Sequence, residues 1–244
     1  MKLRTVAVCV SAVFLSYPAL AEKLVFEPRA EEGRWELETT GQYDFDRSKT
    51  KNAVQEYHQA VGYGVNSFWH TELEIESETE STDDAITHFR TTHLEWENIF
   101  QLAPQGKYWV DPGLYLAYEA PLAHQEPGQV EAKLLLQKSI DKFTNTLNIS
   151  FNQEVGGGRD PHTDAGVSWS TKYRWRPYLQ PGFEYWNDFS EMTHYLTYNE
   201  QSHQVGPVLY GRIFRHFNYN IGYLFGISQA APRGELKWVL EYEF

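Results

Sequence analysis

Two short acidic segments carry the residue types most suited to chemistry. Histidine or glutamate stands at every second position in each: His70, Glu72, Glu74 and Glu76 in the first, and His93, Glu95 and Glu97 in the second. Carboxylates and imidazoles can transfer protons, bind a metal ion or give a surface its charge. Successive side chains of a β-strand point to opposite faces, so this spacing gathers each set on one face.

A metal centre and a hydrolytic site are both conceivable at these residues. Side chains at alternate positions of one strand lie about 7 Å apart, so only residues on neighbouring strands could share an ion, and we expect neither metal nor cofactor. A hydrolase needs a nucleophile beside an oriented histidine. No spacing singles out such a set, so the sequence assigns no catalytic residue among the candidate histidines: His88, His93, His162, His194 and His203.

The start of the chain predicts export. A positive beginning with Lys2 and Arg4 precedes the apolar stretch Val6–Leu15, and the small-x-small pattern Ala19-Leu20-Ala21 follows. This order is typical of a secretory signal, here cleaved after Ala21, which leaves residues 22–244 as a single domain.

Composition narrows the class of the mature chain. Cys9 is the only cysteine and leaves with the signal, so neither a disulfide nor a thiolate metal site can hold the fold. Cleavage also leaves 19 lysine and arginine residues against 33 aspartate and glutamate residues, a formal charge of −14. That charge argues against a nucleic-acid partner.

The hydrophobic pattern repeats with a period of two along most of the chain. Six segments alternate clearly, the last of them over Glu235–Phe244. Six more alternate weakly: Gln55–Val65, Phe89–Leu102, Tyr108–Ala120, Gln129–Ile140, Tyr178–Trp186 and Gln204–Phe214. Long and short connections take turns between these segments. The pattern predicts an all-β chain, a transmembrane antiparallel up-and-down β-barrel of about 12 strands with short periplasmic turns and longer extracellular loops.

Three positions fit this barrel poorly. Pro112 and Pro207 fall inside predicted strands, where proline lacks the N–H that a ladder needs. We therefore place Pro112 at a bulge near the periplasmic rim and expect the same explanation for Pro207. Asn98 falls on the lipid side, where an amide is tolerated only near the interface.

The end of the chain resembles a known class. Tyr242-Glu243-Phe244, behind alternating hydrophobic positions, resembles the C-terminal strand of Gram-negative outer-membrane proteins. The resemblance implies an outer-membrane location, contact with lipid and lipopolysaccharide, and recognition of Phe244 by the barrel-assembly machinery. The turns at 62–69 and 174–178 are similar to those of small porin-like transport barrels, namely putative transporters linked to aromatic-compound degradation and acidic-sugar channels.

The polar faces of such a barrel line its lumen. The two acidic segments then form an acidic wall; pairing Trp69 with Phe100 sets Glu72 against Glu97, Glu74 against Glu95 and Glu76 against His93. Inward-pointing cations form a basic wall: Lys133, Lys172, Arg174, Arg176 and Lys237. If the walls touch, salt bridges fill the lumen. If they stand apart, they create a transverse field that screens solutes by charge.

Three functions are compatible with these features. The first is a passive channel for small hydrophilic or amphipathic solutes, favoured by the charged lining and the lack of a catalytic set. The second is a non-conducting barrel with a structural, adhesive or envelope-assembly role. The third is an enzyme that modifies lipid or lipopolysaccharide.

Overall fold

The computed structural model describes residues 23–48, 51–81, 86–123, 127–156, 163–192 and 196–244. The predicted signal peptide, residues 1–21, lies outside this range, and its cleavage stays a prediction. No helix of the described residues is long and apolar enough to cross a membrane.

Twelve strands follow one another along the chain: β1 Trp35–Phe45, β2 Gln55–Asn66, β3 Trp69–Ser81, β4 Ile86–Gln101, β5 Asp111–Pro121, β6 Gly128–Ile140, β7 Phe143–Val155, β8 Thr163–Tyr173, β9 Gln180–Glu191, β10 Ser202–Ile213, β11 Phe217–Gly226 and β12 Gly234–Glu243. Each strand pairs antiparallel with its neighbours in sequence, and β1 also pairs with β12. At this seam Trp35 and Phe244 exchange two backbone hydrogen bonds. The predicted closed up-and-down barrel is confirmed.

The inward faces of the strands are polar and the outward faces are apolar, which is the reverse of a soluble protein. Fully buried side chains that point inward include Glu184 and Lys237, whereas Leu73 and Trp96 on the outer face are 58 % and 52 % exposed. Alternation carries this contrast around the whole barrel, because apolar residues keep the outward positions of each strand. An apolar outer surface around a polar interior is the arrangement of a barrel that spans a membrane.

The register between β3 and β4 matches the prediction. Trp69 pairs with Phe100, and Glu72, Glu74 and Glu76 lie opposite Glu97, Glu95 and His93. The rings of Trp69 and Phe100 stack at the ends of the two strands, with centroids 6.2 Å apart. The two acidic segments therefore do face each other across one ladder.

The strict alternation of long and short connections is wrong in detail. We call the end of the barrel that carries Trp35 and Phe244 the terminal end, and the opposite end the loop end. A connection of nine residues, 102–110, lies at the terminal end, while β3 and β4 are joined at the loop end by only residues 82–85. β4 is the longest of the described strands, with 16 residues, and β3 has 13, which shortens the loop between them.

The structure shows how the barrel accommodates the three residues that fitted the predicted strands poorly, Pro112, Pro207 and Asn98. The predicted bulge at Pro112 is wrong: β5 begins at Asp111, and Pro112 pairs in register with Leu136, at a strand start where proline is tolerated. The expected bulge at Pro207 is also wrong: Pro207 lies within β10, opposite Phe183 of β9, and the β9–β10 ladder has no register shift there. The Asn98 side chain accepts hydrogen bonds from Trp69 Nε1 at 3.0 Å and Thr71 Oγ1 at 3.1 Å, which satisfies its oxygen near the terminal end.

Candidate functional site: the barrel lumen

An N-terminal segment, residues 23–34, runs through the lumen. Its backbone enters at the terminal end, where Gly33 N–H donates to Gly64 and Gly64 N–H donates to Arg34. Farther in, the Phe26 N–H donates to Asn148 Oδ1 at 2.8 Å and the Asn148 amide donates back to the Phe26 carbonyl at 3.0 Å. Lys23 Nζ donates to Gln204 Oε1 at 2.9 Å, close to the loop end of β10. The segment therefore extends along most of the lumen.

Two glycines of the barrel wall allow the N-terminal segment to pass close to the wall where it enters the lumen. A Cβ at Gly64 would lie 1.8 Å from the carbonyl oxygen of Glu31, and a Cβ at Gly113 would lie 2.6 Å from Pro28 Cβ. Any larger residue at Gly64 would collide with the backbone of the segment. The segment is thus fitted against the barrel wall.

Two apolar clusters anchor the segment. Phe26 packs against Tyr115, with ring centroids 4.5 Å apart, and against Ile99 and Leu135. Val25 packs with a second cluster formed by Trp186, Val208 and Leu224. Apolar side chains at inward positions are unexpected in a hydrated lumen, and both clusters include a residue of the N-terminal segment. Sequence reasoning missed the segment, although these inward apolar positions were a usable signal.

The three lysines of the predicted basic wall each meet a separate carboxylate. Lys133 Nζ lies 2.8 Å from Glu131 Oε2 and over the ring of Phe26 at 4.3 Å. Lys172 pairs with Glu27 of the N-terminal segment. Lys237 Nζ lies 2.8 Å from Glu184 Oε2, and both side chains are fully buried. The lysines come from β6, β8 and β12, so they do not form one wall opposite the acidic wall.

The two arginines do not belong with these lysines. Arg174 and Arg176 follow the end of β8 and are exposed. Arg174 Nη1 donates to Ser139 Oγ at 2.9 Å at the terminal rim. The prediction that Arg174 and Arg176 line the lumen is wrong, because the sequence analysis extended the alternation past the end of β8 at Tyr173.

Histidines compensate the acidic wall, and one of them was not predicted. His58 on β2 contacts Glu56 Oε1 at 2.6 Å through Nε2 and Glu74 Oε1 at 2.5 Å through Nδ1. His93 contacts Glu76 at 2.8 Å and Glu119 at 3.2 Å in the same way. A ring with a carboxylate at each nitrogen satisfies both contacts as an imidazolium, which donates from both.

The acidic surface is wider than two strands. It covers β1 to β5, and we call it the acidic band: Glu36, Glu56, Glu72, Glu74, Glu76, Glu95, Glu97 and Glu119. Glu36, Glu56 and Glu119 were missed because β1, β2 and β5 each contribute few acids, although all three hold inward positions. The tertiary structure adds them to the predicted set.

Three groups of ligand atoms converge within 4.8 Å: Glu36–His70–Glu72, Glu76–His93–Glu119 and Glu74–Glu95–Glu97. The expectation that only residues on different strands could meet is wrong, since His70 Nε2 lies 2.8 Å from Glu72 Oε1 on the same strand. Long side chains lean along the strand and close the gap. In the first two groups a histidine already lies at hydrogen-bond distance from both carboxylates.

The candidate hydrolytic histidines have other contacts where they are described. His162 and His194 lie outside the described residues, as does the side chain of His88. His203 Nδ1 lies 2.9 Å from the Tyr185 hydroxyl and 3.0 Å from Asn187 Nδ2.

A cavity of about 480 Å³ lies beside the N-terminal segment in the terminal half of the lumen. Its lining combines charges of both signs, including Glu36, Glu38, His70, Arg212, Glu241 and Glu243. Arg212 and Arg34 both bind Glu243, at 2.6 and 2.9 Å. The segment thus narrows the lumen without filling it.

The buried Lys237–Glu184 pair should be a large contributor to stability. Glu184 also accepts hydrogen bonds from Trp186 Nε1 at 2.8 Å and the Tyr210 hydroxyl at 2.6 Å. Lys237→Met would leave a buried carboxylate without its counter-ion, so we expect a loss of about 3–5 kcal/mol in unfolding free energy, measured by denaturant titration in lipid vesicles. Lys172→Met is the control, because its partly exposed pair should contribute only about 1 kcal/mol or less. Equal losses would contradict this ranking.

Comparison with known proteins identifies the fold. No protein-family model matches the chain, and no curated protein matches it significantly in sequence. Among solved structures it is similar to a COG4313 outer-membrane channel from Pseudomonas putida F1, with a TM-score of 0.61 and 10% identity over 93% of this chain and 99% of that one. It is also similar to the NanC porin, with a TM-score of 0.56 and 12% identity over 85% of this chain and 98% of that one. The chain has the fold of these outer-membrane barrels.

Proposed function

We propose that this protein is an outer-membrane channel for small solutes, held closed by its own N-terminal segment. The observation that supports it is the combination of a polar, charged lumen with a peptide that lies along it and leaves a cavity beside it. The signal peptide directs export and is cleaved after Ala21, and the C-terminal strand with Phe244 is the part that the assembly machinery recognises. The similar structures, described as an outer-membrane channel and a porin, agree with this function.

The attachment of the segment suits a movable element. Its backbone-to-backbone hydrogen bonds with the barrel occur at Gly33 and Arg34. Within the described chain, each hydrogen bond between residues 23–32 and the wall involves at least one side chain, as in Phe26 with Asn148 and Ala30 with Gln101. Removing the segment would therefore break no strand ladder. Such an element can leave the lumen while the barrel stays closed.

The occluded lumen also favours a non-conducting barrel. In that alternative the segment is a permanent core, comparable to the apolar core of a soluble domain, and the exposed loops perform the function. Recording of single channels in planar bilayers distinguishes the two, because only a movable segment gives openings.

A reversible cross-link provides the direct test. The chain after the signal has no cysteine, so Pro28→Cys with Gly113→Cys introduces a single pair. A Cβ at position 113 lies 2.6 Å from Pro28 Cβ, and a shift of about 1 Å brings the pair to disulfide geometry. We expect the oxidised protein to be silent and a reductant to restore openings. Openings of the oxidised protein, or silence of both forms and of the wild type, would contradict the proposal.

The segment should also loosen in acid. The charge of Lys172 beside Glu27 holds the pKa of that carboxyl below its ordinary value of 4.5. The ionised form therefore favours docking; this contribution is present above pH 4.5 and is lost as the pH falls through the lower pKa of the docked state. We expect openings to increase when the pH is lowered towards 3, and we expect Glu27→Gln to reduce this step. A pH response identical in wild type and Glu27→Gln would exclude Glu27 as its source.

A further inference from the structure

The connections at the terminal end of the barrel are basic, although the chain as a whole is acidic. All five of these connections lie within the described residues, at 67–68, 102–110, 141–142, 174–179 and 214–216. Against a single acid, Asp141, they carry five lysine and arginine residues: Lys107, Lys142, Arg174, Arg176 and Arg215. The full chain instead has 33 acidic residues against 21 lysine and arginine residues. The positive charge at this end therefore runs against the composition of the chain.

Exposed aromatic side chains share these connections with the cations. Trp109 and Phe214 are 79 % and 89 % exposed. The full set of exposed rings is Phe68, Tyr108, Trp109, Trp175, Tyr178 and Phe214. Aromatic rings interleaved with charged groups suit the boundary between water and lipid, where an apolar body and a hydrated group lie side by side. A soluble polyanion would need only the charge, so the combination favours a lipid surface as the partner.

Two lysines near the β6–β7 turn lie over aromatic rings. Lys138 occupies an outward position of β6, and its Nζ lies 5.5 Å from the centre of the Trp109 ring. Lys142 Nζ lies 5.9 Å from the centre of the Tyr173 ring. Tyr173 pairs with Phe143 across the β7–β8 ladder, with ring centroids 5.1 Å apart. We call Lys138, Lys142, Trp109, Tyr173 and Phe143 the basic rim.

The ammonium groups of the basic rim can reach a ligand on the outside of the barrel. Their contacts within the described chain are with rings rather than with a carboxylate. Arg174 differs, because its guanidinium donates to Ser139 Oγ at 2.9 Å and to Thr144 Oγ1 at 3.2 Å. Farther along β6 the outward side chains, among them Leu134 and Leu136, are apolar. This succession of cations, rings and aliphatic side chains matches a phosphate group followed by acyl chains.

We propose that the basic rim binds an anionic phospholipid, with Lys138 and Lys142 at its phosphate and its acyl chains along the apolar outer face of β6. A lysine at a lipid surface extends its apolar stem along the protein and keeps its ammonium at the headgroup. Each lysine near an anionic lipid surface strengthens binding by a factor of about five. The inference goes beyond the proposed channel, because the basic rim lies outside the lumen and is the same whether or not the lumen conducts.

Competition between two lipids tests this inference. The full chain, folded in detergent, receives equal amounts of phosphatidylglycerol and phosphatidylethanolamine with identical acyl chains, and native mass spectrometry counts the lipids that stay bound. We expect the wild type to retain phosphatidylglycerol in preference by at least about fivefold, and Lys138→Gln with Lys142→Gln to remove most of this preference. Arg47→Gln with Arg233→Gln is the matched control, since it removes two exposed cations at the loop end and should leave the preference unchanged.

A soluble headgroup separates a lipid site from a site for free phosphate. We expect an excess of glycerol 3-phosphate to leave the bound phosphatidylglycerol in place, because it lacks the acyl chains that contact β6. Displacement of the lipid would overturn the inference in favour of a phosphate site. So would equal retention of the two lipids by the wild type, or an equal loss of preference in the two double variants, which would make net charge its source. None of these results depends on openings, so the channel proposal is tested separately.

Discussion

Deletion of residues 23–31 is expected to convert the closed barrel into an open pore. The deletion removes both apolar anchors, Val25 and Phe26, and the Glu27–Lys172 pair, while Gly33 and Arg34 keep their contacts with Gly64. If docking is favoured by a few kcal/mol, the open state of the wild type is populated at about 0.1–10%, so the mean current should rise by about 10- to 1000-fold. Single-channel recording in planar bilayers measures it.

A point variant tests whether displacing the segment is sufficient to open the pore when the chain keeps its full length. Gly64→Ala places a methyl group where the Glu31 carbonyl now lies, so the full-length segment can no longer pass the rim in its present path. We expect Gly64→Ala to reproduce much of the effect of the deletion. Both variants must first show the heat-modifiable migration of a folded barrel on gels. If both fold and both stay silent, the lumen does not conduct and the non-conducting alternative is correct.

The second large effect concerns charge selection in the open barrel. The acidic band covers β1 to β5, and Glu74 and Glu95 lie opposite each other near its centre. A carboxylate-lined lumen attracts cations and repels anions, so the deletion variant should prefer potassium over chloride. Adding Glu74→Gln and Glu95→Gln should reduce the permeability ratio by roughly threefold or more, read from the reversal potential in a salt gradient.

The matched control removes the same number of charges outside the lumen. Asp141 and Glu200 are both exposed, in the turn between β6 and β7 and in a loop. Replacing them by asparagine and glutamine should leave the reversal potential unchanged at moderate salt. An equal shift in the two double variants would mean that net charge, rather than the acidic band, sets selectivity. An anion-selective open barrel would contradict the acidic band as the selectivity element.

Local periodicity explains why so much of the barrel was predictable. In a strand the face of every residue follows from its position alone, and sequential hairpins join strands that are neighbours in the chain. The twelve strands, the inward side of His70, Glu72 and Glu74, and the register from Trp69–Phe100 all depend on such short-range relations. Errors appeared where alternation was extended past a strand end, as at Arg174 and Arg176.

The partners of the charged residues could not be predicted in the same way. Whether Lys237 meets Glu184, or His58 meets both Glu56 and Glu74, depends on side-chain reach across the lumen and between ladders. Alternation places all of these groups inside but leaves their pairing open. The sequence therefore predicted a charged interior and divided it into two walls, whereas the structure shows lysines distributed among separate acids.

The sequence by itself determined an inside-out barrel with an acidic interior, because a two-residue period is a local property of the chain. Only the tertiary structure decided what occupies that interior. Contacts that hold the N-terminal segment join residues far apart in the chain, 122 positions for Phe26–Asn148 and 181 positions for Lys23–Gln204, and no periodicity records such separations. They form because the closed barrel brings inward groups from many strands around one peptide. The property to measure is therefore how firmly the N-terminal segment is held in the lumen.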